Sequence, residues 1–253
     1  MSPSIWTQCA GSSRLASLAF DAWRVVESQF ITSTRKLVDS DEEQELLEQL
    51  IETVKPPVPS ERALARLHFL LYTAFRHPPL LHGSRFGTRA ERGIWYGSLT
   101  LATAFAEVAY YRLVFLEGSA ADLGTVTVEL SAFHIPVRTR NGVDLARPPF
   151  AAHAPSIASK TTYATTQRLG REMRASGVEV AVYVSARADD GGKNVALFTP
   201  AFARRSPAAL SAWVCTATRR RVEISKKDVL HKQRFAFARQ QFEVGGSLPA
   251  PAL

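Results

Sequence analysis

One stretch constrains this chain more than any other: residues 84–112, SRFGTRAERGIWYGSLTLATAFAEVAYYR. It begins basic and glycine-punctuated, carries a short aromatic strand signal at Ile94-Trp95-Tyr96, turns at Gly97 and enters a long alanine-rich helix. Glu107 is the only acidic residue of that helix before Arg112. Its neighbours one turn away are Thr103, Ala104, Tyr110 and Tyr111, so it shares a face with small residues and two tyrosines. If that face is buried, the carboxylate needs an arginine or a hydrogen-bonded ligand, because an unpaired buried charge is costly. The alternatives are a surface glutamate, or half of a structural ion pair with Arg85 or Arg112.

The rest of the chain reads as short elements around this stretch. Residues 1–14 are expected to form a poorly ordered tail, and Leu15–Lys36 gives no regular spacing. Ser40 followed by Glu43 is a capping-box signature, and Leu46, Leu47, Leu50, Ile51 and Val54 form an apolar stripe that ends at Pro56-Pro57. The proline-rich VKPPVPS at 54–60 marks a boundary between a largely helical extension, 1–60, and a main domain, 61–253. Glu61–Leu70 is expected to be a short helix, Leu71–Phe75 a strand, and Arg76–Pro79 a loop. Strands are predicted at Gly124–Leu130, Val178–Val184 and Asn194–Thr199, with further short strands at Ala212–Thr218, Arg221–Ile224 and Phe235–Phe242. Asn141-Gly142 is a turn signal. Thr162–Ala175 is expected to be a helix stopped by Gly177. Helices and strands mix without regular βαβ alternation, which predicts an α+β fold.

Composition excludes several classes. No run of eighteen apolar residues exists, and the N-terminus lacks a basic segment followed by an apolar run. A soluble, cytoplasmic protein without membrane attachment is the expectation. Cys9 and Cys215 are isolated, which supports neither a disulfide framework nor a zinc site. There is no P-loop, dinucleotide-binding glycine fingerprint, H-E-x-x-H or nucleophile elbow, and no metal is expected. The net charge is +8, yet residues 39–52 carry seven carboxylates and no Lys or Arg, leaving +15 on the remainder. A basic remainder suits an anionic ligand, a nucleic acid or an acidic partner.

The candidate functional residues stand at turns or in the helix interior. Arg85, in a glycine-flanked loop, has the planar fork that suits a pyrophosphate, and Arg76 carries the same reading. Tyr96 could stack on a flat ring, Ser185 at a strand end could orient a ligand hydroxyl, and Asn194 stands at the start of the next strand. Each also has a plain structural reading: exposed arginine, packing tyrosine, turn serine.

Together these residues resemble the RES family, over about Leu71 to Phe202. The resemblance rests on Arg85-Phe86, Gly93-Ile94-Trp95-Tyr96-Gly97-Ser98, Ala104-Phe105-Ala106-Glu107-Val108, Tyr163 and Gln167, Tyr183-Val184-Ser185-Ala186-Arg187, Asn194 and Leu197-Phe198-Thr199-Pro200. It implies a core similar to ADP-ribosyltransferases. It further implies a toxin of a bacterial toxin–antitoxin pair that degrades NAD+ by hydrolysis or phosphorolysis, with NAD+ as substrate, inorganic phosphate as a candidate co-substrate and no prosthetic group. The partner it implies is a small Xre-like DNA-binding antitoxin that covers the active site. By the same resemblance Glu107, Arg85 and Tyr96 are catalytic, and Arg76, Arg85, Tyr96, Ser185 and Asn194 bind NAD+.

The chemistry is consistent with one carboxylate. Cleaving the nicotinamide–ribose bond passes through a cation-like ribosyl transition state. Nicotinamide leaves NAD+ neutral, so no general acid is required. Two other readings stand beside this one: a mono-ADP-ribosyltransferase acting on a protein or nucleic acid, and a non-enzymatic basic nucleic-acid-binding module. The second lacks a reading helix or stacking motif, so direct DNA binding is not expected.

Overall fold

The computed structural model describes residues 3–28, 37–57, 64–79 and 81–251. The fold is α+β, as expected: eight strands in one mixed sheet, with helices packed on its faces. The strands are β1 (Ala16–Glu27), β2 (Trp95–Ser98), β3 (Val126–Asp144), β4 (Val180–Val184), β5 (Lys193–Leu197), β6 (Leu210–Ala217), β7 (Arg221–Lys226) and β8 (Arg234–Ala238). The helices are α1 (Ile5–Gln8), α2 (Asp41–Val54), α3 (Phe69–Arg76), α4 (Leu101–Gly118), α5 (Ala154–Ile157) and α6 (Ala164–Ala175).

The sheet order is β1-β2-β5-β4-β3-β6-β7-β8, and β1 also pairs with β3. Five strands therefore close into a ring, and β6–β8 extend from it as a flap. The long β3 makes both arrangements possible. Its first half pairs with β6, from Val126↔Ala217 to Phe133↔Leu210, and its last residues, Gly142–Asp144, run parallel to β4. Its other edge carries β1 from Leu130↔Glu27 to Gly142↔Ala16. Only one residue pair, Trp23↔Ser98, joins β1 to β2.

Side-chain alternation divides the core. Ala22, Trp95, Ile135, Val137, Val180, Val182, Val195 and Leu197 from the ring strands pack with Leu70, Leu71 and Phe75 of α3. Ala181, Tyr183 and Ala196, on the other face, pack with Trp6, Phe86, Leu169 and Met173. On the flap, Phe105, Ala109, Tyr110 and Leu113 of α4 meet Trp213, Cys215, Val222, Ile224 and Phe237.

Several sequence expectations change. Residues 3–14 are not a loose tail: Trp6 and Cys9 are buried, and Trp6 Nε1 donates to Ser176 Oγ at 2.9 Å. Within the 1–60 segment, expected to be largely helical, residues 16–27 form β1, because β3 supplies a continuous hydrogen-bonding edge for it. Helix α2 forms with its Ser40 cap, and Glu43 N donates to Ser40 Oγ at 3.2 Å. Its apolar stripe leaves Leu46, Leu50 and Val54 exposed.

Residues 61–63 of the expected 61–70 helix lie outside the described residues. Leu71–Phe75 belongs to α3 rather than to a strand, since helical spacing lets Leu70, Leu71 and Phe75 bury together against the ring. Asn141-Gly142 does not turn the chain; it continues β3 to where β4 joins. Gly97 lies inside β2, where a Cβ would stand 2.7 Å from Trp23 O, so it marks the close approach of β1. The last expected strand stops at Ala238, and Arg239–Phe242 is a 3-10 turn that buries Phe242.

Replacing Trp6 by Ala is expected to destabilise the protein by about 3 kcal/mol, the usual cost of deleting a large buried ring. Urea unfolding measures this, and unchanged stability would restore the picture of a loose tail.

Candidate active site

Glu107 projects from the middle of α4 toward the end of β4 and the start of β5. Helix α4 begins at Thr100, whose side chain accepts the Thr103 backbone N–H at 3.2 Å. The helix is apolar almost all round and sits between ring and flap, which fixes its rotation. Glu107 is half-buried. Its Oε1 accepts two hydrogen bonds, from Ser185 Oγ at 2.7 Å and from Asn194 Nδ2 at 2.5 Å. No other hydrogen bond to this carboxylate is present among the described residues.

Both donors are held from behind. Ser185 follows β4, and its backbone N donates to Gly192 O at 2.8 Å, closing the β4–β5 turn. Its Oγ accepts the backbone N–H groups of Arg187 at 3.0 Å and Ala188 at 3.2 Å. With those acceptor positions occupied, its own proton goes to Glu107. Asn194 stands opposite Tyr183 on β4 and Ser98 on β2. Ser98 Oγ donates to Asn194 Oδ1 at 2.7 Å, leaving the amide NH2 to face the carboxylate. Oε1 is thus held by donors on two neighbouring strands, which fixes the direction of the carboxylate.

Glu107 lies in a cleft of about 740 Å³ shared with Arg24, Arg85, Tyr96, Ser98, Tyr111, Tyr163, Tyr183 and Asn194. Arg85 is buried in its loop, where Nη1 donates to Ile157 O at 2.9 Å and Ser159 O at 3.1 Å. Its guanidinium lies 4.8 Å from the Tyr163 ring centroid. The loop itself is clamped by Gln167 Nε2, which donates to His82 O at 2.9 Å and Ser84 O at 3.2 Å. Helix α6 reaches the loop through Gly170, where a Cβ would stand 1.9 Å from Phe86 O. The Tyr96 hydroxyl accepts the Phe86 N–H at 3.1 Å and bonds Ser84 Oγ at 2.9 Å. Burial pushes its pKa up to about 12, so it stays neutral.

Five of the six sequence-selected residues therefore converge here: Glu107, Ser185, Asn194, Arg85 and Tyr96. Arg76 does not. At the end of α3 it donates from Nε to Pro56 O at 2.6 Å and from Nη2 to Glu52 Oε1 at 2.6 Å, tying α3 to the acidic helix α2.

A cation that sequence reasoning missed lines the cleft instead. Arg24, on β1, donates Nη1 to Tyr96 O at 3.3 Å and lies 5.1 Å from the Trp95 ring centroid. Burial lowers its pKa to about 10, and it pairs with no carboxylate among the described residues. The irregular spacing of residues 15–36 concealed both the strand and this residue. Ser98 was missed as well, although strand alternation from Tyr96 would have placed it on the same face.

Among the described residues, no three His, Cys, Asp or Glu side chains cluster closely enough to hold a metal ion. None of their helices is long and apolar enough to cross a membrane. Tyr96, Tyr110 and Tyr183 are all pushed upward, chiefly by burial. In an absorbance titration of the folded protein these three tyrosines are therefore expected not to ionise near pH 10. Six tyrosinates appearing together with one midpoint near pH 10 would contradict the buried aromatic cleft.

Residues 60–217 match the family model described as RES domain. The match takes in α3, the Arg85 loop, α4 and β3–β6 but not β1, the strand that carries Arg24. A search of curated proteins finds no match.

Proposed function

The chain belongs to the RES domain family, and from that premise we propose that it is a toxin–antitoxin toxin that degrades NAD+ at the nicotinamide–ribose bond. The observation that carries the proposal is the Glu107 carboxylate, with Oε1 held by Ser185 and Asn194 and Oε2 left for a ligand. A substrate that develops positive charge on ribose gains from a fixed anion at that point, because the site does not have to reorganise as the charge appears.

In this mechanism Glu107 Oε2 accepts a hydrogen bond from a nicotinamide-ribose hydroxyl and faces the developing cation. The glycosidic C–N bond breaks, and its electron pair returns to the nicotinamide ring, which departs neutral. A phosphate oxygen or a water oxygen then bonds to the anomeric carbon. Phosphate gives a sugar 1-phosphate; water gives free ADP-ribose and a proton. Among the described residues, Arg24 and Arg85 are the cleft arginines without carboxylate partners, so they are assigned the diphosphate, and one of them the incoming phosphate. Arg76 loses that assignment to its bond with Glu52. Tyr96, neutral and anchored, packs on the substrate's ring or ribose. The partner proposed is a small Xre-like DNA-binding antitoxin that covers the cleft.

The test is purified protein with NAD+, with and without phosphate, and product masses as the readout. Wild type is expected to consume NAD+, and Glu107→Gln to lower kcat by about 10³-fold. Arg24→Ala is expected to raise KM by about tenfold or more, through loss of a charge-assisted contact. Intact NAD+ with wild type, or full activity in Glu107→Gln, would overturn the proposal. ADP-ribose label on a macromolecule instead of a small product would assign a transferase.

A further inference from the structure

Behind the carboxylate stands a polar chain that the reaction does not touch. Ser98 is buried on β2 at 2% exposure, and its hydroxyl points across the β2–β5 pairing to Asn194, itself buried at 4%. The hydroxyl donates to Asn194 Oδ1 at 2.7 Å, and Asn194 Nδ2 donates to Glu107 Oε1 at 2.5 Å. Both bonds run in one direction, toward the anion. Each bond polarises the next, so the chain acts as one extended donor.

We propose that Ser98 is a positioning residue that holds the Asn194 amide with its NH2 group toward Glu107 and so keeps that carboxylate aimed. The inference rests on the reading of Glu107 as the group that stabilises the ribosyl cation.

The reasoning is one of satisfiability. An ionised carboxylate accepts hydrogen bonds and donates none, so Asn194 must turn its nitrogen toward Oε1. That turns Oδ1 the other way, to a buried position where only Ser98 supplies a donor among the described residues. Without the Ser98 hydroxyl, Oδ1 is buried and unsatisfied. The amide then gains by rotating or withdrawing, and either movement costs Glu107 a donor.

Position 98 is also set by the frame. Ser98 is the single β2 residue paired with β1, opposite Trp23, and it precedes the cap of α4 by two residues. A hydroxyl there is fixed relative to β1, β5 and the start of the Glu107 helix at once. Ser185, the other donor to Oε1, is held by backbone N–H groups and does not depend on Ser98. Losing Ser98 therefore weakens the site without dismantling it.

The experiment compares wild type, Ser98→Ala and Ser98→Thr for NAD+ consumption, with thermal melting of each. Wild-type turnover comes first, since its absence would count against the NAD+ reading itself. Given turnover, Ser98→Ala is expected to lower kcat by about fivefold to tenfold with KM for NAD+ unchanged, the scale of one lost hydrogen bond. Ser98→Thr, which keeps the hydroxyl, is expected to recover most of the rate. A Ser98→Ala enzyme with wild-type kcat overturns the inference. Equal losses in Ala and Thr variants, with lowered melting temperatures, also overturn it, because Ser98 would then only pack. A readout without substrate separates the two levels: the Asn194 side-chain amide resonances should shift in Ser98→Ala and return toward their wild-type position in Ser98→Thr.

Discussion

The arrangement of the site depends on one oxygen, Glu107 Oε1, and on bringing two neutral donors to it. Ser185 and Asn194 come from the two arms of the β4–β5 hairpin beside its turn, and Glu107 comes from a helix 78 and 87 residues earlier. Hydrogen bonds of 2.7 and 2.5 Å leave no room for a register slip. Shifting β5 by one residue would send Asn194 to the opposite face. The closed ring of β1, β2, β5, β4 and β3 is what prevents the slip, since every strand in it is paired on both sides. Packing of α4 between that ring and the β6–β8 flap then sets which helix face meets the hairpin.

Charge is distributed so that the cleft stays cationic. Arg76 is joined to the acidic helix α2 through Glu52, and Arg112 to Glu27 at the cleft wall. Arg24 and Arg85 instead rest on aromatic rings and backbone carbonyls. Carbonyl and ring partners orient a guanidinium without neutralising it, so its charge remains for an anion entering the cleft. In the proposed function, the diphosphate and the ribose of NAD+ would meet opposite signs there, cations at one and the Glu107 carboxylate at the other.

Most of the site was legible in the sequence because its residues lie where local patterns are strong. Glu107 stands out as a lone carboxylate in an apolar helix, Ser185 ends an unbroken valine-rich strand, and Arg85 lies between Gly83 and Gly87. Arg24 was not legible, because β1 shows no clean alternation and its pairing with β3 is set more than a hundred positions away. Arg76 misled for the opposite reason. Its place before a proline loop resembled a ligand site, and only tertiary structure brings Glu52 to it. The helix at Leu71–Phe75 was hidden similarly: five apolar and small residues fit either period, and burial against the ring decides. Trp6 and Cys9, in a segment of low regularity, are buried by contacts with α6 and its end that no local pattern announces.

The most direct test of the central assignment is a crystal structure of the Glu107→Gln protein with NAD+ bound. The nicotinamide ribose is expected within about 3 Å of the side chain at position 107, with Ser185 and Asn194 still behind it and the diphosphate against Arg24 and Arg85. Bound NAD+ with its nicotinamide ribose away from position 107, or in another part of the molecule, would contradict the assignment.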